Sequence, residues 1–201
     1  MTIADLVPEE IRARFDVREW RNGLAVLHTA HRDAWQDIVT VLKEFKLPAS
    51  EIVAAGGSKS LIAKRVDAKL YSLGWKEKKY VTATIVDDVK YDAPTHRVDC
   101  VKGRVALEVE WNNKDPFYDR DLNNFRQLFE LRAIDVGVIV TRATELQEIF
   151  DELGKGSSYG NSTTHLNKLL PRLEGGGGGG CPVVVFAITK ACYVNDRKLT
   201  Q

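Results

Sequence analysis

Asp99, Glu108 and Glu110 are the residues of this chain whose types and spacing can do chemistry. They lie in the run Val98-Asp99-Cys100-Val101-Lys102-Gly103-Arg104-Val105-Ala106-Leu107-Glu108-Val109-Glu110-Trp111. Residues two apart in a strand share a face, so Glu108 and Glu110 project together. Lys102-Gly103, between two apolar runs, reads as a tight turn that brings Asp99 back beside them. Converging carboxylates repel unless a cation sits among them, and oxygen-only ligation favours a hard divalent ion, Mg2+ foremost. The chemistry such a site offers is metal-dependent phosphoryl transfer. Acids alternating with Val and Leu also line the solvent face of ordinary antiparallel strands, so the spacing alone leaves both readings open.

The elements that must position these acids are legible around them. Residues 8–15 and 31–46 read as helices, the second with Trp35, Ile38, Val39, Leu42 and Phe45 at helical spacing. Asn22-Gly23 turns into Leu24–His28, a short strand. Gly56-Gly57-Ser58 opens a helix with Ser58 or Ser60 as N-cap, an Ile62/Val66/Leu70/Leu73 stripe and Gly74 at its end. A helix start beside Lys59 suits a phosphate contact. Tyr80–Val86 is β-rich and leads into the acidic hairpin. Phe117–Arg132 reads as an amphipathic helix, with Leu122, Phe125, Leu128 and Phe129 inward and Asp119, Arg120, Asn123, Asn124 and Arg126 on the polar side. Ile134–Thr141 is apolar throughout, as in a strand buried on both faces. A helix over Ala143–Leu153, a polar loop over Gly154–Ser162, a helix ending near Pro171 and a final strand over Cys181–Ile188 follow. The Gly175–Gly180 run lacks the Lys-Ser/Thr of a phosphate loop and reads as a flexible connection. The pattern is α/β: a central mixed β-sheet flanked by helices on both faces. One domain over residues 1–201 is expected, with an N-terminal region 1–56, a core 57–141 and a C-terminal part 142–201.

From Asp99 to Thr141 the chain resembles the BglII/BstYI family of type II restriction endonucleases, a branch of the PD-(D/E)xK nucleases. The resemblance rests on Asp99, the nine-residue step to Glu108, the Glu-Val-Glu triplet, Asn112-Asn113, the Pro116-Phe117 helix entry and the strand Ile134–Thr141. Weaker similarity reaches Gly74-Trp75-Lys76-Glu77, Ser157-Ser158-Tyr159-Gly160 and Pro182–Phe186. It implies a PD-(D/E)xK restriction-endonuclease-like fold and Mg2+ held by Asp99, Glu108 and the main-chain carbonyl of Val109. Glu110 stands where the superfamily carries Lys and the nearest relatives Gln; a Glu there resembles the acidic site of BamHI. It is a general base, a second metal ligand, or both. Glu77 is an auxiliary acid on the same carry-over. Asn112 and Asn113 fall where relatives read the central bases of a GATC-type site, and an Asn amide can bond adenine in bidentate fashion. A simple turn-forming pair is the alternative there. Ser58 and Lys59 would contact DNA at the helix start, and Ser157, Ser158 and Tyr159 from a second polar loop. A palindromic target implies a homodimer on double-stranded DNA, with a companion DNA methyltransferase.

Composition sets the remaining bounds. The chain of 201 residues carries a formal net charge of +1, so whole-chain charge does not announce a nucleic-acid binder. Gly57–Arg104 holds eleven basic against six acidic residues, a local excess that suits phosphate contacts as well as a solvated face. Cys100, Cys181 and Cys192 show no CxxC spacing, so neither a disulfide framework nor a zinc site is expected. No apolar run spans a membrane and no secretory signal is visible, which points to the cytoplasm. No nucleophilic Ser elbow occurs. Two other readings stay open: a PD-(D/E)xK nuclease of little sequence specificity in repair or phage defence, and a non-catalytic DNA-binding protein.

Overall fold

A computed structural model describes residues 2–54 and 59–197. In chain order the elements are α1 (Ile3–Leu6), α2 (Glu9–Arg12), β1 (Phe15–Trp20), α3 (Gly23–Ala30), α4 (Arg32–Glu44), β2 (Leu47–Pro48), α5 (Ala49–Val53) and α6 (Leu61–Ser72). Then come β3 (Lys76–Val86), β4 (Val89–Lys102), β5 (Val105–Val109), α7 (Phe117–Glu130), β6 (Val136–Arg142), α8 (Leu146–Glu152), α9 (Leu166–Glu174), β7 (Val183–Ile188) and β8 (Tyr193–Val194). The main sheet has the order β1-β7-β6-β5-β4-β3, with β5, β6 and β7 parallel to one another and the flanking pairs antiparallel. Leu47 and Pro48 pair with Tyr193 and Val194 in a separate two-stranded ribbon.

Helices on both faces explain why β5, β6 and β7 are buried at every position. One core gathers Trp35, Ile38, Leu42, Val66 and Leu70 of α4 and α6 against Leu107, Val138 and Phe186. The other sets Tyr118, Leu122, Phe125 and Leu169 of α7 and α9 against Ala106, Ile139 and Val185. The sheet is thus the partition between two apolar layers, with its parallel centre buried between them.

Four expectations need correction. Leu24–His28 lies in helix α3, and the strand is Phe15–Trp20 before it. Arg21 and Asn22, with φ of 53° and 56°, reverse the chain between them. Leu24 and Leu27, three apart and fully buried, are a helical stripe rather than a strand face. Gly23 lets α3 start against β7, since a Cβ there would lie 2.7 Å from the Val183 carbonyl oxygen. The hairpin turn is Gly103-Arg104, one residue on from Lys102-Gly103, because Lys102 still pairs with Val105. Helix α9 runs through Pro171 to Glu174; burial of Leu169 and Leu173 offsets the backbone bond that proline removes. Asn124 is buried on the inner side of α7, where it donates to the His96 carbonyl at 3.4 Å.

The expected caps hold where they can be seen. Ser60 Oγ accepts the Ala63 N–H at 3.0 Å, and Gly74 leaves α6 at φ 90°. The glycine run packs against α7: Gly179 sits at φ 56°, and a Cβ there would meet Arg126 Cγ at 2.6 Å. Among the described residues no helix is long and apolar enough to cross a membrane.

Candidate active site

The β4–β5 ladder ends at Cys100↔Leu107, and the acids begin where it ends. Backbone groups beyond the last rung need other partners. The carboxylates supply them: Glu108 Oε2 accepts the Asp99 N–H at 3.2 Å, and Asp99 Oδ2 accepts the Val109 N–H at 3.4 Å. Asp99 and Glu108 therefore clasp each other's strand just as the strands part. Glu110 follows β5 and stays on the sheet, its N–H donating to the Val140 carbonyl at 2.9 Å.

Glu108 and Glu110 are each 2% exposed. Burial, then the charges of Asp121, Asp99 and Glu110, push the Glu108 carboxyl well above its ordinary range. Burial and then Asp121 raise Glu110 to about 9, against the pull of Asn113 and Arg120. Asn113 Nδ2 donates to Glu110 Oε2 at 2.8 Å and Arg120 Nη2 to Glu110 Oε1 at 3.3 Å. Arg120 also bonds Asp121 Oδ1 through Nε at 2.8 Å.

Asp121, Arg120 and Asp67 are the parts of this cluster that sequence reasoning missed. Asp121 is fully buried on α7 and faces Glu110, carboxyl to carboxyl. Such a contact is favourable only around a shared proton or a cation. The signal was available: Asp121 falls on the stripe of Tyr118, Leu122, Phe125 and Leu128, where an acid is out of place. Asp67 sits on the buried side of α6 beside Val66, 4% exposed, and binds Lys59 Nζ. Lys59 Nζ reaches Asp99 Oδ1 as well, at 2.9 Å. Burial works against the charge of Lys59, but its bonds to Asp67 and Asp99 hold its pKa above the usual ammonium range. The Cys100 thiol points the other way from Asp99, into the core, 3.6 Å from Asp67 Oδ1.

The other predicted positions are distributed as follows. Asn112 has φ 58°, and its Oδ1 is buried without a hydrogen-bond partner. Asn113 is committed, holding Glu110 with its amide and Thr164 Oγ1 with its N–H at 3.1 Å. Ser157 and Ser158 are exposed on a short 3-10 turn. Tyr159 is turned inward, 6% exposed and stacked on Phe150 with ring centroids 4.0 Å apart, because the apolar pocket beside Trp111 claims its ring. Glu77 stands on β3 in a surface ion pair with Arg97 at 3.0 Å, and it lines a surface pocket together with Lys59 and Asp67. Ser58 lies outside the described residues.

The donor set suits a hard cation. The acids that meet there from β4, β5 and α7 offer only oxygen, with Arg120 of α7 as the cation already among them, and Glu108 Oε1 and Asp121 Oδ2 are buried with no partner. Among the described residues, no three acidic, His or Cys side chains close on one point. Asp99 is drawn toward Lys59, and Glu110 toward Arg120 and Asn113.

A mixed sheet between helical layers, with acids gathered at the parting of two central strands, defines the restriction-endonuclease-like class of α/β proteins. The sequence model of the family "Restriction endonuclease BglII/BglIII" matches residues 15–188, most of the chain, and the chain belongs to that family. It is accordingly a nuclease, with DNA as its substrate. No curated protein sequence matches it significantly.

Proposed function

We propose that this chain is a type II restriction endonuclease that hydrolyses phosphodiester bonds of double-stranded DNA at a short palindromic site with Mg2+. The observation that carries the reading is the group of buried acids Glu108, Glu110 and Asp121 beside the half-buried Asp99, with carboxylate oxygens of Glu108 and Asp121 left without partners. Asp99, Glu108 and the Val109 carbonyl would hold the metal. When bound, it lowers the pKa of water and neutralises charge on the phosphate.

The chain's own residues do the rest. Glu110, in its ionised form, takes the proton of the attacking water on a carboxylate oxygen. Asn113 and Arg120 fix the orientation of that carboxylate. Asn112, whose amide is not committed to the acids, is the better base reader of the pair, toward a core of the GATC type. Lys59 and the exposed Ser157 and Ser158 contact the backbone. Cutting both strands of a palindrome calls for a homodimer, and survival of the host calls for a methyltransferase of the same specificity.

The test is incubation of the purified protein with phage and plasmid DNA, with and without Mg2+, beside an Asp99→Ala control. Discrete fragments from the wild type alone support the reading, and their ends map the site. A Mg2+-dependent smear replaces it with a nuclease of little specificity. Tight binding without cleavage on every substrate replaces it with a DNA-binding protein.

A further inference from the structure

Beside the acid cluster, on the far side of Lys59, lies a cavity of about 250 Å³. It falls short of the roughly 300–1,000 Å³ of clefts that enclose whole small-molecule ligands. Its size suits a single group of a larger molecule. Its walls come from four places: the end of α5, the start of α6, the residues that leave β5, and the 3-10 turn after α8.

The charges around it do not cancel. Lys59, Lys64 and Lys155 line it, with Glu51 as the acid. Glu51 is already spent on Arg65, which bonds both carboxylate oxygens at 3.0 and 2.9 Å. Lys59 is spent on Asp67 and Asp99. Lys64 and Lys155 have no acidic partner among the described residues. The wall formed by Ser60 and Leu61 is the N-terminal end of the twelve-residue α6, whose dipole adds further positive potential.

We propose that this cavity is a phosphate subsite, in which Lys64 and Lys155 hold the DNA backbone next to the cleaved position. The inference rests on the DNA-cutting reading above and adds two residues to it. Lys59 joins the two places: one face of it belongs to the cavity, and its Nζ touches Asp99. A backbone phosphate seated between Lys64 and Lys155 therefore lies one side chain from the acids. The next phosphate along the strand is then presented to Asp99 and Glu108.

Counterion release provides the test. Binding of a fluorescein-labelled 30-base-pair duplex of random sequence is measured in Ca2+ across a series of NaCl concentrations. Each neutralised phosphate contributes about 0.9 to the slope of log K against log salt. The Lys64→Ala/Lys155→Ala double variant is expected to lose about 0.9 from that slope. The Lys64→Arg/Lys155→Arg variant should keep it, because charge rather than shape is at stake. Lys43→Ala, which removes a lysine paired with Glu10 at 2.6 Å, should leave it unchanged. Wild-type binding with the same slope in the Ala double variant overturns the inference alone. A slope lost equally in the Arg and Ala variants overturns it too, since the effect would then be structural. No duplex binding by the wild type at any salt overturns both this inference and the reading beneath it.

Discussion

Glu108 Oε1 and Asp121 Oδ2 are buried acceptors with nothing to accept from, and together with Glu110 they decide how this protein responds to protons. Glu110 has its pKa raised from 4.5 to about 9 by burial and then by Asp121. A carboxyl whose folded pKa exceeds its unfolded value binds its proton more tightly in the fold. Its contribution to stability is complete below the unfolded pKa and is lost as pH rises through the folded one. Without divalent ions, Tm should therefore fall between about pH 4.5 and about pH 9, the window of that shift. Glu110→Gln should flatten the fall by at least about 1 kcal/mol, roughly 2–4 °C for a domain of this size. Parallel Tm profiles for wild type and Glu110→Gln in scanning fluorimetry would remove Glu110 from this role. Asp99→Ala and Glu108→Ala are expected to bring cleavage to background while duplex binding in Ca2+ persists. Cutting by either variant would take these acids out of the chemistry.

The site is only as rigid as the elements that meet at it, and α7 docks on β6 with no slack. A Cβ on Gly137 would stand 2.3 Å from Phe125 Cδ2. Gly137→Ala should cost about 1–3 kcal/mol by overpacking. It should also cut activity more than stability, because α7 carries Arg120 and Asp121. An unchanged melting curve would show that α7 is free to shift. The same docking explains what could be read in the chain beforehand. Asp99, Glu108 and Glu110 were legible because a short hairpin brings them together from within a dozen residues. The buried strand at β6 and the α6 stripe were legible because their periodicity is local. Asp67 and Asp121 joined the acid cluster only when α6 and α7 packed against the sheet; an acid on an apolar helical stripe marks such a residue as buried but does not tell which groups it meets. Leu24–His28 was misread because five apolar or neutral residues satisfy a strand and one helical turn equally well; the left-handed Arg21-Asn22 pair decided between them.

Across the whole molecule, charge is divided by position rather than by total. The net charge of +1 conceals an acid cluster inside and a lysine-lined cavity next to it, with Lys59 at their boundary. A cation that binds the folded acids and not the unfolded chain stabilises the fold by mass action, about 2.7 kcal/mol at a hundred times its Kd. Ca2+ titration should thus raise the Tm of the wild type at pH 8. The Asp99→Ala/Glu108→Ala variant should show no such rise, and an equal rise in both would place the ion elsewhere. The outer pair β3–β4 contrasts with this centre. Its end beyond β5 exposes Val81, Ile85, Val86, Val89 and Tyr91, which contribute to neither core. Ile85→Ser should leave the unfolding free energy within about 0.5 kcal/mol of the wild type, and a larger loss would reveal packing on that arm.

The clasp between β4 and β5 also governs how such a chain drifts once cutting is no longer selected. Asp99 and Glu108 accept the Val109 and Asp99 N–H groups where the ladder stops. Their replacement by Ala strands those donors at the edge of the core. Asn at 99 and Gln at 108 keep an acceptor oxygen and lose only the charge. A lineage that abandons catalysis is therefore channelled toward the amides. It would keep the outline of an active site long after the reaction has gone.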